Sequence, residues 1–201
     1  MATEYFTWIL AISSFAFIMT FTPGPNNIML ATSGANFGIR RSMPHVWGVA
    51  FGFPAMLLVV ATGMGYILDY PVLRLALRII GIVYIFYLAY VMATMSQLSK
   101  QGVKTPLTFL QAALFQWVNP KAWAQAVGAS SAYLSIHFDK TLQIIAMAAV
   151  FLPIGVASSY IWAIFGSKIA RLLNNKIKLR TFNICMALAL LVTVIPVILS
   201  Y

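Results

Sequence analysis

Six apolar stretches, each near the length of a membrane-crossing helix, divide this chain and leave few ways for it to fold. They run over residues 6–21, 46–68, 75–95, 107–133, 142–166 and 182–201. About 20 residues of helix cross roughly 30 Å of hydrocarbon. The stretches do not alternate as barrel strands of ~10 residues do, so helices are expected. With 62% of 201 residues apolar and 8% charged, there is too little polar surface for a water-soluble domain. Short loops leave no room for a second domain, so one all-α integral membrane domain over residues 1–201 is predicted, with six transmembrane helices.

The charges orient it. Nine of the thirteen cations fall in the first, third and fifth connections: Arg40, Arg41, Lys100, Lys104, Lys168, Arg171, Lys176, Lys178 and Arg180. The three acids, Glu4, Asp69 and Asp139, fall on the other side with Arg74, Arg78 and Lys140. By the positive-inside rule the odd connections are cytoplasmic and both termini lie outside. A net charge of +10 distributed in this way does not form one basic face, which argues against nucleic acid as a partner. The first residues carry Glu4 and no cation before the apolar stretch, unlike a cleaved signal. His45 and His137 lie near opposite faces and share no span with an acid, and Cys185 is the lone cysteine. Enzymatic chemistry, a metal centre and a cofactor are therefore not expected.

Two of the six stretches are interrupted. The first meets Thr22-Pro23-Gly24-Pro25-Asn26-Asn27, and the fourth meets Gln116-Trp117-Val118-Asn119-Pro120-Lys121. Proline removes an amide donor and disfavours helix at the residue before it, so a break is predicted at each, with Asn26 or Asn27 capping the half-helix after the first. The two broken helices open the halves 1–100 and 101–201 in opposite directions, the pattern of a 3+3 inverted repeat. Non-helical backbone at membrane depth is tolerated where protein or a wet cavity satisfies it, so the breaks mark a candidate substrate pathway. Half-helix N-termini suit a carboxylate, and the carbonyls ending the preceding halves suit an ammonium, which together describe a site for an amino-acid zwitterion.

Candidate site residues are Pro23, Gly24, Pro25, Asn26, Asn27, Gln116, Asn119, Pro120, Lys121 and Gln125. Lys121 is the one cation well inside a span; it shares a helical face with Gln125 and Gly128 and is expected to hold a substrate carboxylate. Tyr84, Tyr87 and Tyr90 rise along one side of the third helix, and Tyr84 and Tyr87 join the candidate list as pathway or packing residues. Gly48 and Gly52 form a GxxxG face expected to pack closely on another helix.

Thr22-Pro23-Gly24-Pro25-Asn26 and Asn119-Pro120-Lys121-Ala122-Trp123 resemble the two signature motifs of the LysE/RhtB family of bacterial amino-acid exporters. Gly38 with Arg40, Gly48 with Gly52, and Gly81-x-x-Tyr84-x-x-Tyr87-Leu88 support the likeness, which covers essentially the whole chain. The resemblance implies secondary active export of amino acids or close derivatives across the bacterial inner membrane, driven by protons, with a homodimer as a further implied state. The doubled Asn26-Asn27 is similar to the branch exporting cysteine and O-acetylserine. No buried carboxylate presents itself as a proton carrier, Asp69 being the nearest candidate. A membrane-embedded scaffold and a metal-ion exporter of related fold are the alternative readings.

Overall fold

The computed structural model describes residues 2–63, 70–94, 105–134, 139–173, 175–192 and 195. Asp69, Lys100, Lys104 and His137 lie outside these residues, as do the side chains of Arg74 and Arg78. Among the described residues there is no strand. The helices are α1 Ala2–Phe21, α2 Pro25–Ala61, α3 Pro71–Thr94, α4 Phe109–Phe115, α5 Pro120–Tyr133, α6 Lys140–Ala170 and α7 Lys176–Val192, with one 3-10 turn, Gln116–Val118, joining α4 to α5. Three of them are long and apolar enough to cross a membrane, namely α1 from Thr3, α2 and α6.

Several helix starts follow from local sequence. Thr108 and Gln111 form a capping box at α4, the hydroxyl accepting from the Gln111 amide and the Gln111 side chain accepting from the Thr108 amide. Asp139 caps α6 by accepting from the Leu142 amide at 2.8 Å. Pro25 and Pro120 stand at first-turn positions of α2 and α5, where a missing N–H costs nothing.

The 37 residues of α2 would reach about 55 Å if straight. They fold back instead. Gly38 has φ 75° and ψ 168°, and Ser33 Oγ lies 2.9 Å from His45 Nδ1, two groups that a continuous helix would hold about 18 Å apart. Thus α2 is a hairpin of two helices, α2a (25–37) and α2b (39–61), with Arg40 and Arg41 on the first turn of the second arm. The sequence places the connection over several residues around these cations, whereas one glycine makes the turn. Nothing lies within 4 Å of a Cβ built at Gly38, so only the backbone objects to a side chain there. Gly38→Ala is expected to destabilise by about 1–3 kcal/mol, measured as loss of thermal stability of the detergent-solubilised protein.

Contacts set the relative directions. Phe15 packs on Phe151 and the Thr20 carbonyl accepts from Ser158, so α1 runs with α6. Phe53 meets Phe151 at 5.0 Å between centroids while Ala50 meets Gly155, so α2b runs against α6. Gly48 abuts Phe109 and Gly52 abuts Ala113, which aligns α2b with α4 and gives the GxxxG face its packing partner. Gly81 abuts Val118 and Tyr84 packs on Phe115, opposing α3 to α4. Trp8 donates to the Tyr133 carbonyl and Lys121 reaches Thr22, opposing α5 to α1. Asn36 and Asn183 exchange amide hydrogen bonds at 2.8 and 3.1 Å, while Ile28 and Met29 join Ala187 and Leu190 in one apolar cluster, opposing α7 to α2a.

Candidate functional site

The ends of α1 and α4 and the starts of α2 and α5 meet at one place. Thr20, Ala50, Lys121 and Gly155 line a common cavity together with Gly24, Asn26, Asn27, Asn119 and Gln125. Phe53, Pro54, Phe151 and Ser159 also stand on its wall, and its volume of about 40 Å³ has room for roughly three waters.

An α-helix leaves its last four carbonyls without intrahelical donors. At the end of α1 the Ile18 and Met19 carbonyls accept from the Thr22 amide and hydroxyl, while the carbonyls of Thr20 and of Thr22 just beyond the helix are answered by side chains from elsewhere. Asn27 Nδ2 donates to the carbonyls of Thr20 and Thr22, both at 2.8 Å. Ser158 Oγ donates to the Thr20 carbonyl at 3.0 Å. Lys121 Nζ donates to the Thr22 carbonyl at 2.6 Å and Thr22 Oγ1 at 2.9 Å, with the Pro23 carbonyl at 3.4 Å. Gln125 Nε2 donates to Thr20 Oγ1 at 2.9 Å. The two breaks are also tied directly: Asn26 Nδ2 donates to Gln116 Oε1 at 2.9 Å, and Gln116 Nε2 donates back to Asn26 Oδ1 at 3.2 Å and to the Ala112 carbonyl at 2.9 Å.

The two helix starts differ. Asn119 caps α5, its side chain accepting from the Lys121 amide at 3.1 Å. The N-cap of α2 is Gly24 in extended backbone, with no side-chain cap. The expectation that Asn26 or Asn27 caps this half-helix is corrected: they lie two and three residues after the N-cap, and their side chains bridge instead to Gln116 and to the end of α1. Gly24, Asn26 and Asn27, at this start without a side-chain cap, line the cavity.

Of the sequence-selected residues, Gly24, Asn26, Asn27, Asn119, Lys121 and Gln125 line the cavity, and Pro23 offers a carbonyl to Lys121. Pro25 and Pro120 start helices, and Gln116, fully buried, acts through Asn26. Tyr84 and Tyr87 are not brought to this place. Tyr84 packs against Phe115 and Tyr87, and Tyr87 is 57% exposed on the outside of α3. Gly128 faces Phe15 and does not line the cavity. Residues that the sequence reading passed over are Thr20, Gly155 and Ser159 in the lining, and Ser158, which donates to the Thr20 carbonyl. The signal for them was a polar pair near the middle of the most apolar helix.

The sequence model of the LysE type translocators matches residues 17–201, nearly the whole chain. The chain belongs to the LysE family. This LysE-family chain is 29% identical over 188 residues to the cysteine/O-acetylserine efflux protein of Escherichia coli strain K12, covering 92% of the chain and 94% of that relative. The protein of the same description from Escherichia coli O157:H7 is 29% identical over 189 residues, with the same coverage. No solved structure matches. This member of the LysE family is a membrane transporter and not an enzyme.

Proposed function

We propose that this chain exports a small amino acid or close derivative from the cytoplasm across the bacterial inner membrane, by alternating access at the cavity between the two breaks. The observation that carries this is the meeting of two groups at one small cavity: the oxygens of Thr22 and Pro23, reached by Lys121 of its lining, and the start of α2a, without a side-chain cap, whose Gly24, Asn26 and Asn27 line it. The former suit an ammonium and the latter a carboxylate. The relatives' description as cysteine/O-acetylserine efflux proteins supports a substrate of that size.

In this reading the chain crosses the membrane six times, as α1 with α2a, α2b, α3, α4 with α5, α6 and α7. Both termini lie outside, and the halves form a 3+3 inverted repeat broken at the proline motifs. Supporting it, α1 opposes α5, α2b opposes α6 and α3 packs on α7, so each element of one half contacts its counterpart in the other. The position of the cavity at both breaks fits the sites of such transporters.

The substrate is held by end groups common to all amino acids, while Phe53, Phe151, Pro54 and Gly155 limit its side chain. Purified protein in liposomes preloaded with labelled O-acetylserine, cysteine, threonine or leucine is expected to release the first two at least tenfold faster than protein-free liposomes, and leucine slowest. No protein-dependent release of any of them would leave the scaffold reading in its place.

A further inference from the structure

Lys121 does not point at an anion. Its ammonium sits on the Thr22 carbonyl, Thr22 Oγ1 and the Pro23 carbonyl, which is where the proposed substrate's own ammonium would bind. The stem lies against Gly24 so closely that a Cβ there would stand 2.6 Å from Lys121 Cδ. The Thr22 carbonyl has two lone pairs, and Asn27 Nδ2 and Lys121 Nζ use both. No third donor can be accepted until Lys121 leaves. Among the described residues lining the cavity from α1, α2, α5 and α6, none is acidic and Lys121 alone titrates. Its charge is met by the carbonyl end of α1 and by neutral oxygens, with no carboxylate to hold it in place.

We infer that Lys121 is an internal ammonium that competes with the substrate for one set of oxygens, and that its protonation couples export to proton influx. The inference rests on the exporter reading. With Lys121 neutral and withdrawn, the substrate ammonium takes the oxygens of Thr22 and Pro23, and the loaded site turns outward. After release, Lys121 Nζ binds one proton from the outer water, occupies the vacated oxygens, and the site returns inward. There the proton leaves to cytoplasmic water and the next substrate enters. One proton moves in for each zwitterion moved out, so one positive charge crosses per cycle, and a membrane potential drives the cycle as well as a pH gradient. This supplies a proton carrier where no buried carboxylate exists among the described residues of the cavity.

The test uses proteoliposomes and labelled O-acetylserine, with cysteine in parallel, read as exchange and as accumulation driven by a pH gradient. In the wild type, the half-saturation concentration for exchange should rise about tenfold per pH unit as pH falls, once protonated Lys121 predominates, because only the neutral form admits substrate. Lys121→Met, which leaves the oxygens without a competitor, should lower that concentration, remove its pH dependence and abolish gradient-driven accumulation. Lys121→Arg, a permanent cation, should raise it at least tenfold at every pH. The inference is overturned if Arg transports and Met does not, since Lys121 then holds a carboxylate. It is also overturned if Met still accumulates substrate on a pH gradient, or if wild-type half-saturation is flat between about pH 5.5 and 7.5. That last measurement needs no variant to fold. Absence of wild-type exchange for both substrates would remove the exporter reading itself and this inference with it.

Discussion

Gly166→Val should leave little folded protein in the membrane, and Gly34→Val should do the same. A Cβ on Gly166 would run into the Ala31 carbonyl, and a Cβ on Gly34 would run into the Ala163 carbonyl. The two glycines are thus halves of one contact, where α2a and α6 touch backbone to backbone. Helices in lipid gain no hydrophobic force from meeting each other, so close approach through small residues carries much of their association. Over-packing a core costs about 1–3 kcal/mol when side chains can yield. Here the obstacle is main chain on both sides, so a loss above about 3 kcal/mol is expected, seen as aggregation on size-exclusion chromatography in mild detergent. Because both glycines serve one contact, the double variant should be less harmful than the sum of the two. Gly128→Ala is the control: its Cβ would meet only Phe15 Cζ at 3.6 Å, an ordinary contact, so stability should hold or rise slightly. Equal damage from Gly128→Ala would mean that the assay reads helix glycines in general and not this crossing.

The second large effect is expected at Asn27. Its amide donates to two carbonyls at the end of α1, and the residue is 5% exposed. Asn27→Leu removes one donor from each of two carbonyls, while Thr20 keeps Ser158 and Thr22 keeps Lys121. Each lost hydrogen bond costs about 0.5–1.5 kcal/mol net, so a loss of about 1–3 kcal/mol is expected, read as a lower thermal stability. Asn27→Asp is the sharper variant. It conserves shape but, when ionised, accepts only, so it would face two carbonyl oxygens with like partial charge and also offer Lys121 a carboxylate nearby. Transport of O-acetylserine by Asn27→Asp should fall at least a hundredfold. A variant that transports at the wild-type rate would show that the α1 terminus is not part of the pathway.

Much of this architecture was legible before any coordinates. Among the described residues, apolar runs coincide with helices: 142–166 lies within α6, and 107–133 corresponds to α4 through α5. Both proline motifs coincide with helix ends, because proline's missing N–H and its restriction of the preceding residue act locally. The hairpin at Gly38 was not legible, since a glycine followed by two arginines is compatible with a longer loop and only packing against α6 brings the arms together. Tyr84 and Tyr87 failed to separate from the pathway residues for a related reason: a shared helical face says which residues stand together, but not what the face meets.

The site divides in the same way. Asn27, Gln116, Asn119, Lys121 and Gln125 could be selected from sequence because polar groups are costly in hydrocarbon and stand out in an apolar run. What each polar atom binds could not. Lys121 was expected to await a carboxylate, yet it lies on the oxygens of Thr22 and Pro23, a pairing across 99 residues of chain for the Thr22 bond. Composition and proline placement, which act through solvation and local backbone geometry, determined by themselves that this is a helical membrane protein with helix ends at both proline motifs. Which carbonyl, amide and ammonium meet in the cavity was decided only by the tertiary structure, because those partners come from α1, α2, α5 and α6, and no local rule relates their positions.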